Sequence, residues 1–361
     1  MDISIKSNKV VIVQSCDADD NLYIYSGESK SIKYNDTKKF IKDIPMLFKN
    51  VKVVLFNIFR YNPKNEFKSN LHFCEAIKAK MDEHNIRHYF DSVKNVTHSL
   101  LFSNSKISIK TRNKVLVVVA VIETVQLLEY EYTENGYKET AIINLSINIQ
   151  EDPKIAKEKI LCSRNPKKII LVGNQDGKEL MKFLKIALKS DNLIAFDYPP
   201  SCNSQSFFDE WTKWFMDKTF TKYFVMPSNT RTYILGSKID GRNYSLITLD
   251  SLQILPFSTD ITLRKLKEDL FYGYIEEDQS CRLISSEQKC HRNQIFLEID
   301  AENFVSIRQN PIIFPKIKEL LKQLNERKGC EIPVIGIMQN ISVICVYKNG
   351  GYQFLDSWNG I

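Results

Sequence analysis

The 361-residue sequence predicts an α/β protein, and three observations carry that expectation. Apolar runs of strand length recur at Val10–Val13, Val51–Phe56, Val115–Ile122 and Ile169–Val172. Helical periodicity fills the stretches between them, which is the alternation of an α/β chain. The third observation is local. The strands near residues 10, 115 and 335 are each followed within a few residues by a second strand, hence by hairpins and not by βαβ crossovers.

Taken along the chain, Lys9–Cys16 and Leu22–Tyr25 read as strand, tight turn, strand. Phe67, Leu71, Cys74, Ile77 and Met81 then mark one helical face. Val115–Tyr132 is the clearest hairpin region, and Glu134-Asn135-Gly136 turns the chain into a further strand, Tyr137–Ile143. Leu180, Phe183, Leu184 and Leu188 mark a second helical face, and Trp211, Trp214, Phe215 and Phe220 read as helical core. Pro315 opens a last helix with Ile317, Leu320, Leu321 and Leu324 inward, and Gly329 closes it. The strand-turn-strand at Lys9 has an echo at Pro333–Gly350, so a second copy of the opening hairpin is expected from about residue 331.

Composition narrows the functional classes. With 43% hydrophobic and 26% charged residues the chain has the globular mixture needed to bury a large core. Met1–Lys9 holds no long apolar run, and Val115–Ile122 is far shorter than the roughly 20 residues of a membrane span. Eight cysteines lie scattered without CxxC pairs, as reduced core thiols do, so the expected address is the cytoplasm. The net charge of +7 comes from lysines interleaved with 43 acidic residues, unlike the clustered charge of a nucleic-acid binder. Neither nucleic acid nor a membrane is an expected partner.

Several segments, in order, resemble the seventy-kilodalton heat-shock chaperones, which carry an actin-like ATPase fold. Pro333–Gly350 is similar to that family's opening phosphate hairpin, V-I-G-I-D-L-G-T-T-Y-S-C-V-G-V-F-K-N-G. Val51–Pro63 resembles V-V-V-T-V-P-A-Y-F-N-D, and Asn113–Leu128 resembles the second phosphate hairpin, N-V-L-I-F-D-L-G-G-G-T-F-D-V-S-I-L. Lys168–Asn174 is similar to the adenosine-contact strand I-V-L-V-G-G, and Gln294–Ile307 to a strand pair of the peptide-binding domain. The resemblance implies a two-lobe fold of actin, hexokinase and heat-shock type. Its first lobe spans 1–112 and its second 113–235, and the subdomain that clamps adenine is missing between Ile143 and Lys168. A β-rich segment at 236–310, a helix at 311–330 and a terminal hairpin at 331–361 would follow.

The same resemblance places the nucleotide site and shows what has been lost there. A triphosphate in this fold lies between two hairpin turns that offer backbone N–H groups, which glycines allow it to approach. Aspartates beside those turns hold hydrated magnesium. In the second hairpin the metal-side Asp falls at Val119, and the glycines fall at Val121, Ile122 and Glu123; only Thr124 keeps its type. β-branched Val121 and Ile122 disfavour positive φ. A carboxylate about 4 Å from a phosphate costs on the order of 4 kcal/mol per unit charge at an effective dielectric near 20. That is half of the roughly 8 kcal/mol in micromolar binding.

In the first hairpin the Asp falls at about Val13, with Ser15 and Cys16 where Gly and Thr would stand, and the C-terminal echo offers Met338, Asn340 and Ile341. Gly173 survives in the adenosine strand, with Asn174 after it, and serves strand-to-helix packing or adenosine contact. The degenerate nucleotide positions are therefore Thr124, Gly173, Ser15 and Cys16. No catalytic residue and no metal site is expected.

Asp17, Asp19 and Asp20 are a polar hairpin tip or a displaced metal site. His84 and His88, with His72 and Cys74 upstream, fall in a loop after a helix ending at Glu83 and do not share a helical face. Cys281 and Cys290-His291 lack a fourth zinc ligand, and no nucleophile elbow is present. The expectation is a pseudo-ATPase without cofactor that acts through proteins or peptides, chaperone partners among them. The alternatives are an active chaperone using ATP and magnesium, and an unrelated α/β interaction scaffold.

Overall fold

A computed structural model describes residues 10–16, 21–26, 31–63, 66–122, 124–174, 177–200, 205–239, 242–250, 253–264, 270–274, 282–284, 292–312, 315–327, 331–338 and 341–355. Asp17, Asp19, Asp20, Glu123, Cys281, Cys290, His291, Gly329 and Asn340 lie outside these residues, as do the side chains of Cys16, Ile317, Met338 and Ile341. The chain divides into two units, residues 1–228 and 229–361.

The first unit repeats one pattern of elements. Its first half runs β1 (Val10–Cys16), β2 (Asn21–Tyr25), β3 (Ile32–Tyr34), α1 (Thr37–Leu47), β4 (Val53–Asn57), α2 (Asn70–Glu83), β5 (His88–Phe90) and α3 (Val93–Asn104). Its second half runs β6 (Lys114–Val121), β7 (Thr124–Thr133), β8 (Gly136–Ser146), α4 (Pro153–Leu161), β9 (Lys168–Val172), α5 (Lys178–Ala187), β10 (Leu193–Phe196) and α6 (Gln205–Met216). Each half forms a five-stranded sheet, in the orders β3-β2-β1-β4-β5 and β8-β7-β6-β9-β10. The first three strands of each make an antiparallel meander, and the last two join in parallel. Between β8 and β9 stands only the short helix α4.

Local chemistry explains these boundaries. Asp36, Ser69, Ser92 and Asp152 each stand at an N-cap, where a side-chain oxygen accepts from a backbone N–H of the first turn. Pro153, with no N–H to lose, opens α4. α2 begins at Asn70, so Phe67 precedes the helix whose periodicity it shares; Leu71, Cys74, Ile77 and Met81 do form its buried face. At the β7–β8 turn Gly136 has φ +117°, and a Cβ there would sit 2.5 Å from the Phe224 carbonyl oxygen.

The parallel strands are covered on both faces, which is why their sequences are continuous apolar runs. Ile12, Val53 and Leu55 face α3 and α6, meeting Val96, Leu100, Phe207, Phe208, Trp211 and Trp214. On the opposite face Phe48 meets Phe56, which stacks on Phe90 at 4.8 Å. In the second sheet Leu116, Val118, Ile169 and Leu171 pack on α4 and α5, while Val115, Val117, Ile170 and Val172 pack on Leu101 and Phe102 of α3. α3 therefore lends one face to each core. α6, from the end of the stretch 113–235, covers the first sheet.

The second unit is almost entirely β. It holds β11 (Tyr233–Ile239), β12 (Arg242–Leu249), β13 (Phe257–Arg264), β14 (Leu270–Tyr274), β15 (Arg282–Ile284), β16 (Arg292–Ile299) and β17 (Val305–Ile312). α7 (Pro315–Glu326) precedes β18 (Val334–Met338), β19 (Ile341–Lys348) and β20 (Gly351–Phe354). The sheets are ordered β12-β11-β14-β15, β13-β16-β17 and β18-β19-β20. Leu320, Leu321 and Leu324 of α7 pack on Val343, Cys345 and Tyr352 of the last sheet.

Candidate functional site

In an α/β sheet, ligands are received outside the carboxyl ends of the parallel strands. The four predicted nucleotide positions fall on those edges, two on each sheet. Ser15 and Cys16 end β1, which runs parallel to β4 with Gln14 opposite Asn57. Thr124 and Gly173 share the matching edge of the second sheet, where β6 and β9 pair as far as Val119 opposite Val172. No hydrogen bond or ion pair among the described residues joins the two pairs.

The β6–β7 turn differs from what its composition predicts. Val121 pairs with Thr124, so only two residues make the bend. Ile122, expected to avoid positive φ, adopts φ +43° and is 60% exposed. The cause is the hairpin itself, because a tight turn between twisted strands needs a positive φ at its first central position whatever side chain stands there. Such a conformation costs a β-branched residue roughly 1–2 kcal/mol. The Thr124 hydroxyl donates to the Val121 carbonyl at 3.2 Å, closing the turn upon itself.

Gly173 is explained by packing. Its N–H donates to the Phe196 carbonyl at 2.9 Å, and a Cβ would sit 2.7 Å from the Asp197 carbonyl oxygen and 3.2 Å from Met181 Cγ. The Asn174 side chain accepts from the N–H of Gly177 at 2.7 Å and so pins the loop that enters α5. A Cβ on Gly177 would lie 3.5 Å from both the Ala120 carbonyl oxygen and the Ile122 N–H. That loop therefore presses against the base of the hairpin.

The first sheet's edge carries further polar atoms beside the expected Ser15. Asn57, 5% exposed, ends β4 with its Oδ1 buried and without a hydrogen bond, and the Ser15 Oγ is likewise buried without one. After β5, Asp91 accepts from the backbone of Ser92 at 2.8 Å and from Asn95 Nδ2 at 2.9 Å. The available signal was a single asparagine closing the run Val-Val-Leu-Phe, a polar residue placed where a parallel strand meets its crevice.

A buried polar chain ties α3 to the second sheet at the end where β6 begins, where Val115 pairs with Tyr130. Burial, and secondarily the Lys94 charge, hold the His98 imidazole down to about 3. Tyr130, whose hydroxyl burial pushes well above its ordinary value, donates to Glu139 Oε2 at 3.0 Å. With that proton committed, neutral His98 donates from Nδ1 to the tyrosine oxygen. Lys94 closes the chain on Glu139 at 3.0 Å.

His84 caps the end of α2 and His88 begins β5, each beside its own carboxylate, Glu83 and Asp82, at 3.6 and 3.9 Å. Among the described residues no group of three or more His, Cys, Asp or Glu could hold a metal, and no helix is long and apolar enough to cross a membrane. Cys74 and Cys345 are buried free thiols, whereas Cys162 is exposed.

The duplicated three-strand meander with two parallel strands defines the actin-like ATPase fold, here with only α4 where a further subdomain would stand. No family model matches the chain, and no curated protein does. Solved structures similar to it include a Bacteroides thetaiotaomicron protein with an actin-like ATPase fold and unknown function. That pair shows 11% identity and a TM-score of 0.29 over 56% of this chain and 96% of that one. The inorganic polyphosphate/ATP-glucomannokinase of Arthrobacter sp. strain KM shows 7% identity and 0.34 over 57% and 99%. A non-polymerisable quadruple mutant of pCBH ParM shows 9% and 0.28 over 57% and 100%.

Proposed function

We propose that this chain is a pseudo-ATPase: a divergent scaffold of heat-shock type that neither cleaves nor needs ATP and acts through protein or peptide contacts. One observation carries the proposal. The second hairpin, whose backbone would have to cradle phosphate, turns tightly between the paired Val121 and Thr124, carries Ile122 in the bend and spends the Thr124 hydroxyl on the Val121 carbonyl. The heat-shock ancestry is supported by the order of the resembling segments, and a cytosolic setting by the reduced thiols of Cys74 and Cys345. Calorimetric titration with ATP and magnesium is expected to give no binding heat, and micromolar, magnesium-dependent binding would remove the proposal.

The unpartnered Ser15 Oγ and Asn57 Oδ1 favour a second reading, in which the first lobe still receives a nucleotide and the protein is a working chaperone. That reading expects phosphate release stimulated by unfolded polypeptide, and a flat steady-state assay excludes it.

A further inference from the structure

At the opposite end of the first sheet, where β4 and β5 begin, an open hollow of about 530 Å³ lies between the last turn of α1 and the loop leaving α2. Phe48 and Ile86 supply apolar wall, and Lys49, Lys52, His84 and Arg87 supply cationic or titratable groups; no lining residue is acidic. Several lysines elsewhere in the unit meet carboxylates, among them Lys80 with Glu83, Lys94 with Glu139, Lys114 with Glu129, Lys159 with Glu151 and Lys185 with Asp197, while others such as Lys42 and Lys182 stand singly without an ion pair among the described residues. Lys49, Lys52 and Arg87 form no ion pair among the described residues, and Arg87 rests a guanidinium nitrogen 3.6 Å from the Met216 sulfur. Of the acids on the neighbouring elements, Glu83 is held by Lys80 and His84, Asp82 by His88, and Asp43 by the Tyr34 hydroxyl.

Helix ends explain part of this charge. α1 and α2 both finish here, and their two carbonyl ends together supply about one negative charge. Three full positive charges remain a surplus against that. A concave surface of this size with apolar floor and unspent cations, one an arginine fork suited to carboxylates, is complementary to an acidic chain segment.

We infer that this hollow is a docking site for an acidic peptide, one that places Asp or Glu side chains on Lys49, Lys52 and Arg87 and an apolar residue on the half-buried Ile86. The choice of a peptide as occupant rests on the protein-contact reading above; the geometry of the hollow does not. A fluorescein-labelled peptide of alternating Glu and Leu, titrated by anisotropy, is expected to bind the full chain, and to bind more weakly as salt is raised. Lys52→Glu with Arg87→Glu should weaken it at least roughly tenfold, while Lys182→Glu on α5 leaves it unchanged. The charge-reversed variant should in turn acquire affinity for a Lys-Leu peptide, which an unfolded variant could not do. No binding to the native chain overturns the inference, as do equal binding to the charge-reversed variant and displacement of the peptide by a single-stranded oligonucleotide at lower concentration. Calorimetry with ATP tests the pseudo-ATPase proposal separately, so failure of one leaves the other standing.

Discussion

The two sheets of the first unit have the same strand order but different interiors. Around the first, Phe40, Phe48, Phe56 and Phe90 form a ladder of aromatic rings, and α6 adds Trp211 and Trp214 on the other face. Around the second, the face under α4 and α5 is almost wholly aliphatic, its buried aromatic rings lying on the α3 side, among them Phe102, Tyr130 and Tyr137, and its β7 and β8 run 10 and 11 residues against 5 and 3 for β2 and β3. One topology thus tolerates two unlike fillings, because strand order needs only apolar residues at the right period. Turn chemistry is a separate matter, since a hairpin can keep its place in the sheet after losing the residues that once served a ligand.

The largest expected effect tests the interiors against each other. Phe56→Ala, removing a fully buried ring stacked on Phe90, should cost about 3–5 kcal/mol in urea denaturation. Val118→Ala, at an equally buried point of the second sheet, should cost about 2 kcal/mol. Equal losses would mean that the aromatic ladder does not distinguish the two cores.

Gly136→Ala should cost about 3 kcal/mol by the same measurement, from the positive φ and the Phe224 carbonyl that leaves a Cβ no room. Next comes acidity. The folded His98 binds its proton only near pH 3, while an unfolded histidine does so near 6.5, so the unfolded state takes up more protons as pH falls between those values. Stability contributed by neutral His98 is whole above about pH 6.5 and is lost towards pH 3, by roughly 2 kcal/mol on reaching pH 5. An NMR titration in which the His98 ring protonates near pH 6 would contradict this. The smallest effect is a gain: Ile122→Gly should raise stability by about 1 kcal/mol, and a fall in the thermal midpoint would show that Ile122 is not strained.

Much of this architecture was legible from apolar period alone. Val10–Val13, Val51–Phe56, Val115–Ile122 and Ile169–Val172 coincide with β1, β4, β6 and β9, and the hairpins beginning near residues 10, 115 and 335 are present. The duplication was not legible where it is strongest. The visible echo joined Lys9 to Pro333, whereas the repeated pattern joins β1–α3 to β6–α6, whose interiors use different side chains for the same positions. Ile122 was misjudged because local preference for φ yielded to the geometry of a two-residue bend. Asn57 was overlooked because nothing in a one-dimensional pattern marks the strand end at which a lone polar residue is enclosed.

The swap of helices between the halves sets how the first unit can be divided. A fragment ending at residue 112 would keep all five strands of the first sheet yet leave Ile12, Val53 and Leu55 covered by Val96 and Leu100 of α3 alone, because Phe207, Trp211 and Trp214 arrive only about a hundred residues further on. During synthesis that side of the sheet waits half-covered until α6 emerges from the ribosome, so the first half completes its core only once the second has been made.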